Sequence, residues 1–307
     1  MNEIKDTIFV TKVRTDYGKS IVRKLIASIR TFGGNMSHLP VWVYVTDPPR
    51  VSCSDLAEDD VRIINLEVPP HIFNYILGDK VYACAKAEEL SFKFIHSLIW
   101  IDPLCMVLNP PALFELKGDL DVAIRPVHIR NVGLGSKDPV NQYWKKVYET
   151  VGIEDTPVTV ETFVEQQQIR AYFNTHAFAI NPARGMLRLW LKYFDLLVRD
   201  ETFQNSSYMD EDHQIFLHQA VLSALITLLP SRKVRILPPV YSYPYNLHSL
   251  VSPERQAKAL NDLICVALEE PIGDPSEITD IQILEPLRGW LASYSSSGRR
   301  APRKGSG

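Results

Sequence analysis

The chain has 307 residues, of which 46% are hydrophobic and 22% are charged, as in an ordinary globular protein. Its formal net charge of -3 gives no electrostatic basis for binding nucleic acid or an anionic membrane surface. The four cysteines, Cys53, Cys84, Cys105 and Cys265, are scattered without a CxxC pair, which argues against a structural zinc site.

The two ends of the chain set the expected bounds of the domain. Residues 1–6 lack the apolar core of a signal peptide, and the apolar run at 220–229 is shorter than the roughly 20 residues that span a bilayer. We therefore expect a cytoplasmic protein without a membrane span. Residues 293–307 are rich in Ser, Gly and Arg and predict a flexible basic tail, which leaves residues 1–292 as a single domain.

The predicted elements alternate between strands and helices along the chain. Apolar, β-rich segments predict strands at 7–11, 41–46, 61–66, 97–101, 104–108, 121–125, 172–182, 234–238 and 263–268. Apolar positions at helical spacing predict helices at 21–29, 80–94, 143–151, 183–198 and 210–229. Because strand–helix–strand units make parallel pairings, this order predicts one α/β domain with a central mixed, mostly parallel sheet flanked by helices.

Asp102 is the most informative residue of the chain. It directly follows the apolar strand at 97–101, and open α/β sheets bind their ligands at the carboxyl ends of their strands. A carboxylate at a buried strand end needs a hydrogen-bond donor, a cation or a metal ion beside it. We therefore expect a ligand site here, where Asp102 binds a metal ion, contacts a ribose hydroxyl or caps the turn before Pro103.

Four segments of the chain resemble, in their order, one enzyme superfamily. They are the strand and loop at 9–17, the strands and turn at 98–114, the segment 172–182 that begins Tyr-Phe-Asn, and the acidic helix start at 210–214 with the later Leu-Pro and Tyr-Asn pairs at 237–238 and 245–246. Together they resemble the GT-A glycosyltransferases, the nucleotide-diphospho-sugar transferases, and look closest to the glycogenin- and galactinol-synthase-like branch. The resemblance covers most of residues 7–250 and implies a GT-A-like (Rossmann-like) fold, a nucleotide-diphosphate sugar donor and an unknown acceptor.

Candidate site residues lie in and around these segments. The candidates for binding the nucleotide sugar are Thr11, Arg14, Tyr17, Lys86, Asp102 and Asn246, and those for catalysis are Asp102, Asn174, Asp212 and Gln214. Lys86 is included because its helix leads directly into the Asp102 strand, where a lysine is able to replace a metal ion. Lys12, Arg14 and Arg125 are the other cations near predicted sheet edges.

Each candidate also has an ordinary structural role to weigh against the functional one. Tyr17 either stacks on a nucleobase or packs at a helix start. Asn174 and Asn246 are typical of turns as well as of sugar contacts. Gln214 is equally typical of a solvent-facing helix position, and Lys86 is more typical of a solvated surface charge.

The metal centre of the resembled enzymes is incomplete in this sequence. Mn²⁺ or Mg²⁺ is the cofactor that the resemblance implies, since such hard ions suit oxygen ligands. The second carboxylate position holds Leu104, however, and no C-terminal H-x-x-G-x-K-P-W pattern is recognisable. The acidic residues 210–212 offer further oxygen atoms, although carboxylates at a helix start are also stabilised by the helix dipole. We therefore expect Asp102 to supply at most one ligand to an atypical or absent metal site.

Two functions follow from this pattern. The first is glycosyl transfer from a nucleotide-diphosphate sugar by a metal-independent or atypically liganded route. The alternative is a non-catalytic protein of the same fold that binds a nucleotide or carbohydrate or serves as a partner scaffold.

Overall fold

The computed structural model describes residues 6–58, 60–268, 278 and 280–298. The strands are β1 (Thr7–Val13), β2 (Val41–Val45), β3 (Val61–Asn65), β4 (Ser97–Ile101), β5 (Cys105–Val107), β6 (Val122–Ile124), β7 (Thr159–Glu161), β8 (Gln168–Arg170), β9 (Ala177–Ile180), β10 (Val234–Ile236), β11 (Tyr243–Pro244) and β12 (Cys265–Ala267). The α-helices are α1 (Asp16–Phe32), α2 (Pro70–Phe73), α3 (Gly78–Ser91), α4 (Gln142–Val151), α5 (Met186–Arg199), α6 (Glu201–Gln204), α7 (Glu211–Ile226) and α8 (Leu287–Gly298).

A seven-stranded sheet in the order β10-β6-β9-β4-β1-β2-β3 forms the centre of the molecule. Its strands all run in one direction except β9, which pairs antiparallel with both β4 and β6. Every residue of β2 and β4 is buried, as expected for parallel strands that are covered by helices on both faces. The predicted class, a mixed and mostly parallel sheet flanked by helices, is confirmed.

Two predicted strands belong to a different sheet from the one expected. β5 and β12 pair antiparallel with each other and join β11 in a small three-stranded sheet. The segment predicted as a strand at 172–182 is a strand only over Ala177–Ile180. It begins late because the Asn174 side chain accepts a hydrogen bond from the His176 backbone nitrogen and bends the chain there. The hairpin β7–β8 and the helices α2, α6 and α8 were not predicted, and α2 and α6, at four residues each, are too short for a periodic pattern.

The C-terminal helix occupies part of the predicted tail. Residues 293–298 belong to α8, and residues 299–307 lie outside the described part of the chain. Among the described residues, no helix combines the length and the apolar character that a membrane crossing needs.

Helix α3 packs beside the central sheet, and several of its buried positions carry charged residues. It begins at Gly78, where a Cβ atom would collide with the backbone carbonyl of Ile72, so this close approach requires glycine. Asp79, Lys80 and Glu88 of the helix are almost fully buried. Burying a charge is costly unless it is paired. The partners of these three residues lie on other elements of the fold and link those elements to α3.

Glu88 binds the start of helix α5. Its carboxylate accepts hydrogen bonds from the backbone nitrogens of Leu187 (3.0 Å) and Arg188 (2.9 Å) and from the Arg188 Nε (3.1 Å). The first backbone N–H groups of a helix have no partner within the helix, so the carboxylate of α3 satisfies two of them in α5.

We expect Glu88→Gln to lower the free energy of unfolding by about 2 kcal/mol, since the uncharged amide leaves these buried donors imperfectly paired. Urea denaturation would measure the loss. The matched control is Glu89→Gln, because Glu89 is exposed and forms a surface ion pair with Lys86, and we expect a change within about 0.5 kcal/mol. Equal losses in the two variants would contradict the assigned role of Glu88.

Candidate functional site

The site lies at the sheet edge where β1 and β4 end. Since β9 is reversed, its first residue lies at this same edge, and the Asp102 backbone nitrogen donates to the His176 carbonyl oxygen at 2.7 Å. A cavity of about 360 Å³ opens here, lined by Lys12, Leu77, Lys80, Asp102, Pro103, Leu104, Cys105, Thr175, His176, Ile215, Phe216, His218, Gln219, Ala267 and Leu268. The cavity therefore occupies the ligand position that the fold provides.

Asp102 lies in this cavity and is paired with Lys80. The Lys80 Nζ donates to the Asp102 Oδ2 at 2.9 Å, and the Trp100 Nε1 donates to the Oδ1 at 2.9 Å. The Lys80 side chain is 1% exposed, while that of Asp102 is 17% exposed. Both oxygens of the carboxylate therefore have a protein donor, and the buried cation offsets its desolvation.

The ammonium group of Lys80 also binds Thr175. Its Nζ donates to the Thr175 carbonyl oxygen (2.7 Å) and to the hydroxyl oxygen (3.1 Å), which completes its three hydrogen bonds. The hydroxyl in turn lies 3.0 Å from the His218 Nε2, and the His218 Nδ1 lies 2.9 Å from the Ile215 carbonyl oxygen. Because a carbonyl only accepts, Nδ1 carries the proton and Nε2 accepts from Thr175. Burial, together with the charge of Lys80, holds the pKa of His218 well below its usual value, which keeps the imidazole neutral.

A second buried pair, Lys12 and Asp79, adjoins the first. The Lys12 Nζ contacts the Asp79 Oδ2, which also accepts from the Thr46 hydroxyl at 3.0 Å. The Asp79 Oδ1 accepts from the Lys80 backbone nitrogen at 3.0 Å. Lys12 is 13% exposed and is the more accessible of the two cavity lysines.

An uncharged cavity of about 200 Å³ adjoins the charged one. Both are lined by His176, Phe216, Gln219, Ala267 and Leu268, and the second is also lined by Val127, His128, Ile129, Asn131, Asn174, Asn246 and Leu247. The rings of His128 and His176 stack with centroids 6.0 Å apart. Neither nitrogen of His128, nor the Nδ1 of His176, has a partner among the described residues. Burial lowers the pKa of His176 to about 4, and it lowers that of His128 well below the usual value, so both rings are neutral near pH 7.

The structure brings three of the predicted site residues to these cavities. Asp102 lines the charged cavity, and Asn174 and Asn246 line the uncharged one. Thr11 is buried in β1, with its hydroxyl unpartnered among the described residues, and it lines neither cavity. The catalytic candidates Asp212 and Gln214 lie in the first turn of α7 and also line neither cavity; Gln219 of the same helix lines both.

The remaining candidates lie elsewhere on the surface. Arg14 places its guanidinium 4.0 Å from the centre of the Phe73 ring, and Tyr17 is 65% exposed in the first turn of α1. Lys86 pairs with Glu89 at 2.7 Å on the outer face of α3. Six residues along a helix amount to a rotation of about 240°, so Lys86 points away from the face that carries Lys80.

Lys80 is the functional candidate that the sequence interpretation missed. A signal was present, because Lys80 shares a helical stripe with Ala83, Cys84 and Ala87, and a lysine on an apolar stripe requires a buried partner. Helix α3 does bring a lysine to Asp102, but that lysine is Lys80, whereas Lys86 pairs with Glu89.

The side chains around Asp102 do not fit a divalent metal ion. Both carboxylate oxygens already accept hydrogen bonds, and the residue two positions later, Leu104, lines the cavity with an apolar side chain. Within the described ranges, no group of three His, Cys, Asp or Glu side chains could hold a metal ion. The cation that contacts Asp102 is instead the Lys80 ammonium group.

Comparison with known proteins identifies the fold. No family model matches the chain, and no curated protein matches it in sequence. In structure it is similar to the galactosyltransferase LgtC in complex with donor and acceptor sugar analogs, with a TM-score of 0.56, 12% identity and coverage of 97% of this chain and 98% of that one. An active-site mutant of LgtC gives the same TM-score, identity and coverage. The bifunctional glycosyltransferase WbbM matches with a TM-score of 0.53 and 11% identity over 96% of this chain and 53% of that one. The chain therefore has the GT-A glycosyltransferase fold, as predicted.

We expect Lys80→Met to lower the free energy of unfolding by about 3 kcal/mol, because it leaves the Asp102 carboxylate without its cation in a mostly buried position. Lys86→Met, on the same helix, is the matched control, with an expected change within about 0.5 kcal/mol. Chemical denaturation of both variants measures the difference. The assignment would be contradicted if Lys80→Met lost no more stability than Lys86→Met.

The neutral cavity histidines also predict how stability changes with pH. The pKa of His176 is lowered to about 4 in the folded protein, against about 6.5 in an unfolded chain, so unfolding takes up a proton between these values. Stability should therefore fall as the pH is lowered from about 6.5 towards 4. We expect His176→Gln to reduce this slope by up to about 1.4 kcal/mol per pH unit, measured by urea denaturation at several pH values. His96→Gln, which changes a histidine outside both cavities, is the control, and equal slopes in the two variants would refute the prediction.

Proposed function

We propose that the protein is a glycosyltransferase that uses a nucleotide-diphosphate sugar donor and stabilises the leaving diphosphate with lysine instead of a metal ion. The observation that carries this proposal is the pair of lysines, Lys12 and Lys80, lining one cavity at the carboxyl ends of the sheet strands. The GT-A fold supports it, since the similar LgtC structure contains donor and acceptor sugar analogs.

Cleavage of a glycosyl–diphosphate bond leaves negative charge on the diphosphate, which a positioned cation stabilises as it develops. Lys12 is the group for direct contact because its side chain is the more exposed of the two. Asp79 retains hydrogen bonds from Thr46 and from the Lys80 backbone when Lys12 turns towards the donor. Lys80 has all three donors engaged, so it acts by keeping Asp102 in place and by adding positive charge to the cavity wall.

The uncharged cavity suits the sugar end of the reactants. Sugar hydroxyls both donate and accept hydrogen bonds, and neutral imidazoles and side-chain amides do the same. His128, Asn174, His176 and Gln219 offer such groups within about 200 Å³ of space. The unpartnered buried nitrogens of His128 and His176 would gain hydrogen bonds from a bound hydroxyl-rich ligand.

A second candidate function is a non-catalytic protein that binds a nucleotide or carbohydrate. The engagement of all three Lys80 donors within the protein favours it, because this ammonium group then has no donor left for a substrate. Donor binding is common to both functions, and turnover of the donor separates them.

Isothermal titration calorimetry with a panel of uridine, guanosine, adenosine and thymidine diphosphate sugars tests the proposal. We expect one donor class to bind equally well with Mn²⁺ and with EDTA, since lysine and not metal provides the charge. Lys12→Met should weaken that binding by at least about tenfold, which corresponds to about 1.4 kcal/mol.

Lys86→Met serves as the control for this experiment because it removes the same charge outside the cavity, and donor affinity should remain unchanged. Release of nucleoside diphosphate from the bound donor would support the transferase, and binding without release would support the non-catalytic protein. If no donor bound under either condition, both functions would be wrong. If binding required Mn²⁺, the role of lysine would be wrong.

A further inference from the structure

Arg125 is a buried arginine without a carboxylate partner among the described residues. It directly follows β6 and is 2% exposed. Its Nη1 donates to the carbonyl oxygens of Pro239 (2.9 Å) and Ser242 (2.8 Å), and its Nε has no partner in the described part of the chain. Carbonyl oxygens accept hydrogen bonds but do not neutralise a full charge.

A buried cation with no counter-charge is unfavourable, because desolvation is not offset by an ion pair. Burial and, as the smaller cause, the positive charge of Arg255 together lower the pKa of Arg125 to about 9. An anion beside the guanidinium would remove this disadvantage.

Arg125 lines a cavity that has room for such an anion. The volume is about 290 Å³, and the lining residues are Arg125, Pro126, Thr159, Val160, Glu161, Phe163, Ile236, Leu237, Pro239 and Arg255. None of them lines the Asp102 cavity or the uncharged cavity. This cavity is therefore a separate place in the fold.

The charges that line the cavity are unbalanced. Arg255 donates to the Glu161 carboxylate at 3.0 Å, so these two neutralise each other and Arg125 remains as the excess positive charge. The guanidinium carbons of Arg125 and Arg255 lie 5.1 Å and 5.0 Å from the centre of the Phe163 ring. Apart from its charged residues and Thr159, the lining is apolar.

We infer that this cavity binds an amphiphilic anion, with a carboxylate or phosphate group at Arg125 and Arg255 and an apolar body against Val160, Phe163 and Ile236. The negative head group neutralises the uncompensated guanidinium of Arg125. Planar guanidinium groups bind carboxylate and phosphate alike through paired hydrogen bonds. The inference concerns binding alone and does not depend on the proposed transferase activity.

Calorimetric titration of the full chain with four small probes tests this site. Benzoate and phenyl phosphate carry both the charge and the apolar body, benzyl alcohol lacks the charge, and acetate lacks the apolar body. We expect benzoate or phenyl phosphate to bind one molecule per chain, at least about tenfold more tightly than benzyl alcohol or acetate. The tighter of the two anions identifies the head group.

Two changes at the rim of the cavity have opposite expected effects. Glu161→Gln removes the competing carboxylate and should tighten anion binding by about threefold to tenfold, whereas Arg255→Gln should weaken it by a similar factor. Glu115→Gln and Arg50→Gln are the matched controls, since these exposed residues change the net charge equally and line none of these cavities. The controls should leave the affinity unchanged.

Arg125→Gln should abolish binding in a folded protein. Because Arg125 also joins two backbone segments, the rim variants test the site even if this variant does not fold. The inference would be overturned if neither anion bound, if benzyl alcohol bound as tightly as benzoate, or if the two rim variants matched their controls.

Discussion

The ion pair between Lys80 and Asp102 is the interaction on which the arrangement of the sheet edge depends. Lys80 comes from α3, Asp102 from the end of β4, and Thr175, the third partner, from the residues that lead into β9. A lysine that is 1% exposed must have all its donors satisfied, so these three segments are held in one geometry. The reversed direction of β9 matters for the same reason, because it places the start of that strand beside the end of β4.

Charge is distributed unevenly around this edge, and each cavity suits a different chemical group. Two lysine–aspartate pairs surround the first cavity, neutral imidazoles and amides line the second, and an excess arginine lines the third. In the second and third cavities, buried polar groups have hydrogen-bonding or charge requirements that the described residues do not meet. Burial is therefore the common cause of the features that point to function.

Much of this could be predicted from the chain, and the failures have identifiable causes. The apolar strands β1, β2 and β4 and the helices between them were sufficient to predict the fold class. Asp102 led to a strand end at which the structure has a cavity. The sequence led to Lys86, whereas the structure has Lys80 beside Asp102, because sequence order places the whole helix near Asp102 but does not say which face turns inward. β5 and β12 were recognised as strands, yet their membership of a second sheet depends on pairing between residues about 160 positions apart.

By itself, the sequence determined that this is an α/β protein with a carboxylate at the end of a buried strand, since periodicity and strand-end position are local properties. Only the tertiary structure decided what that carboxylate contacts. Lys80, Trp100 and Thr175 converge on the site from three elements, and convergence of this kind is set by packing and strand direction, which no local pattern contains. The uncompensated charge of Arg125 is also evident only from the tertiary structure. Whether a carboxylate among the described residues lies beside this guanidinium depends on which side chains pack around it.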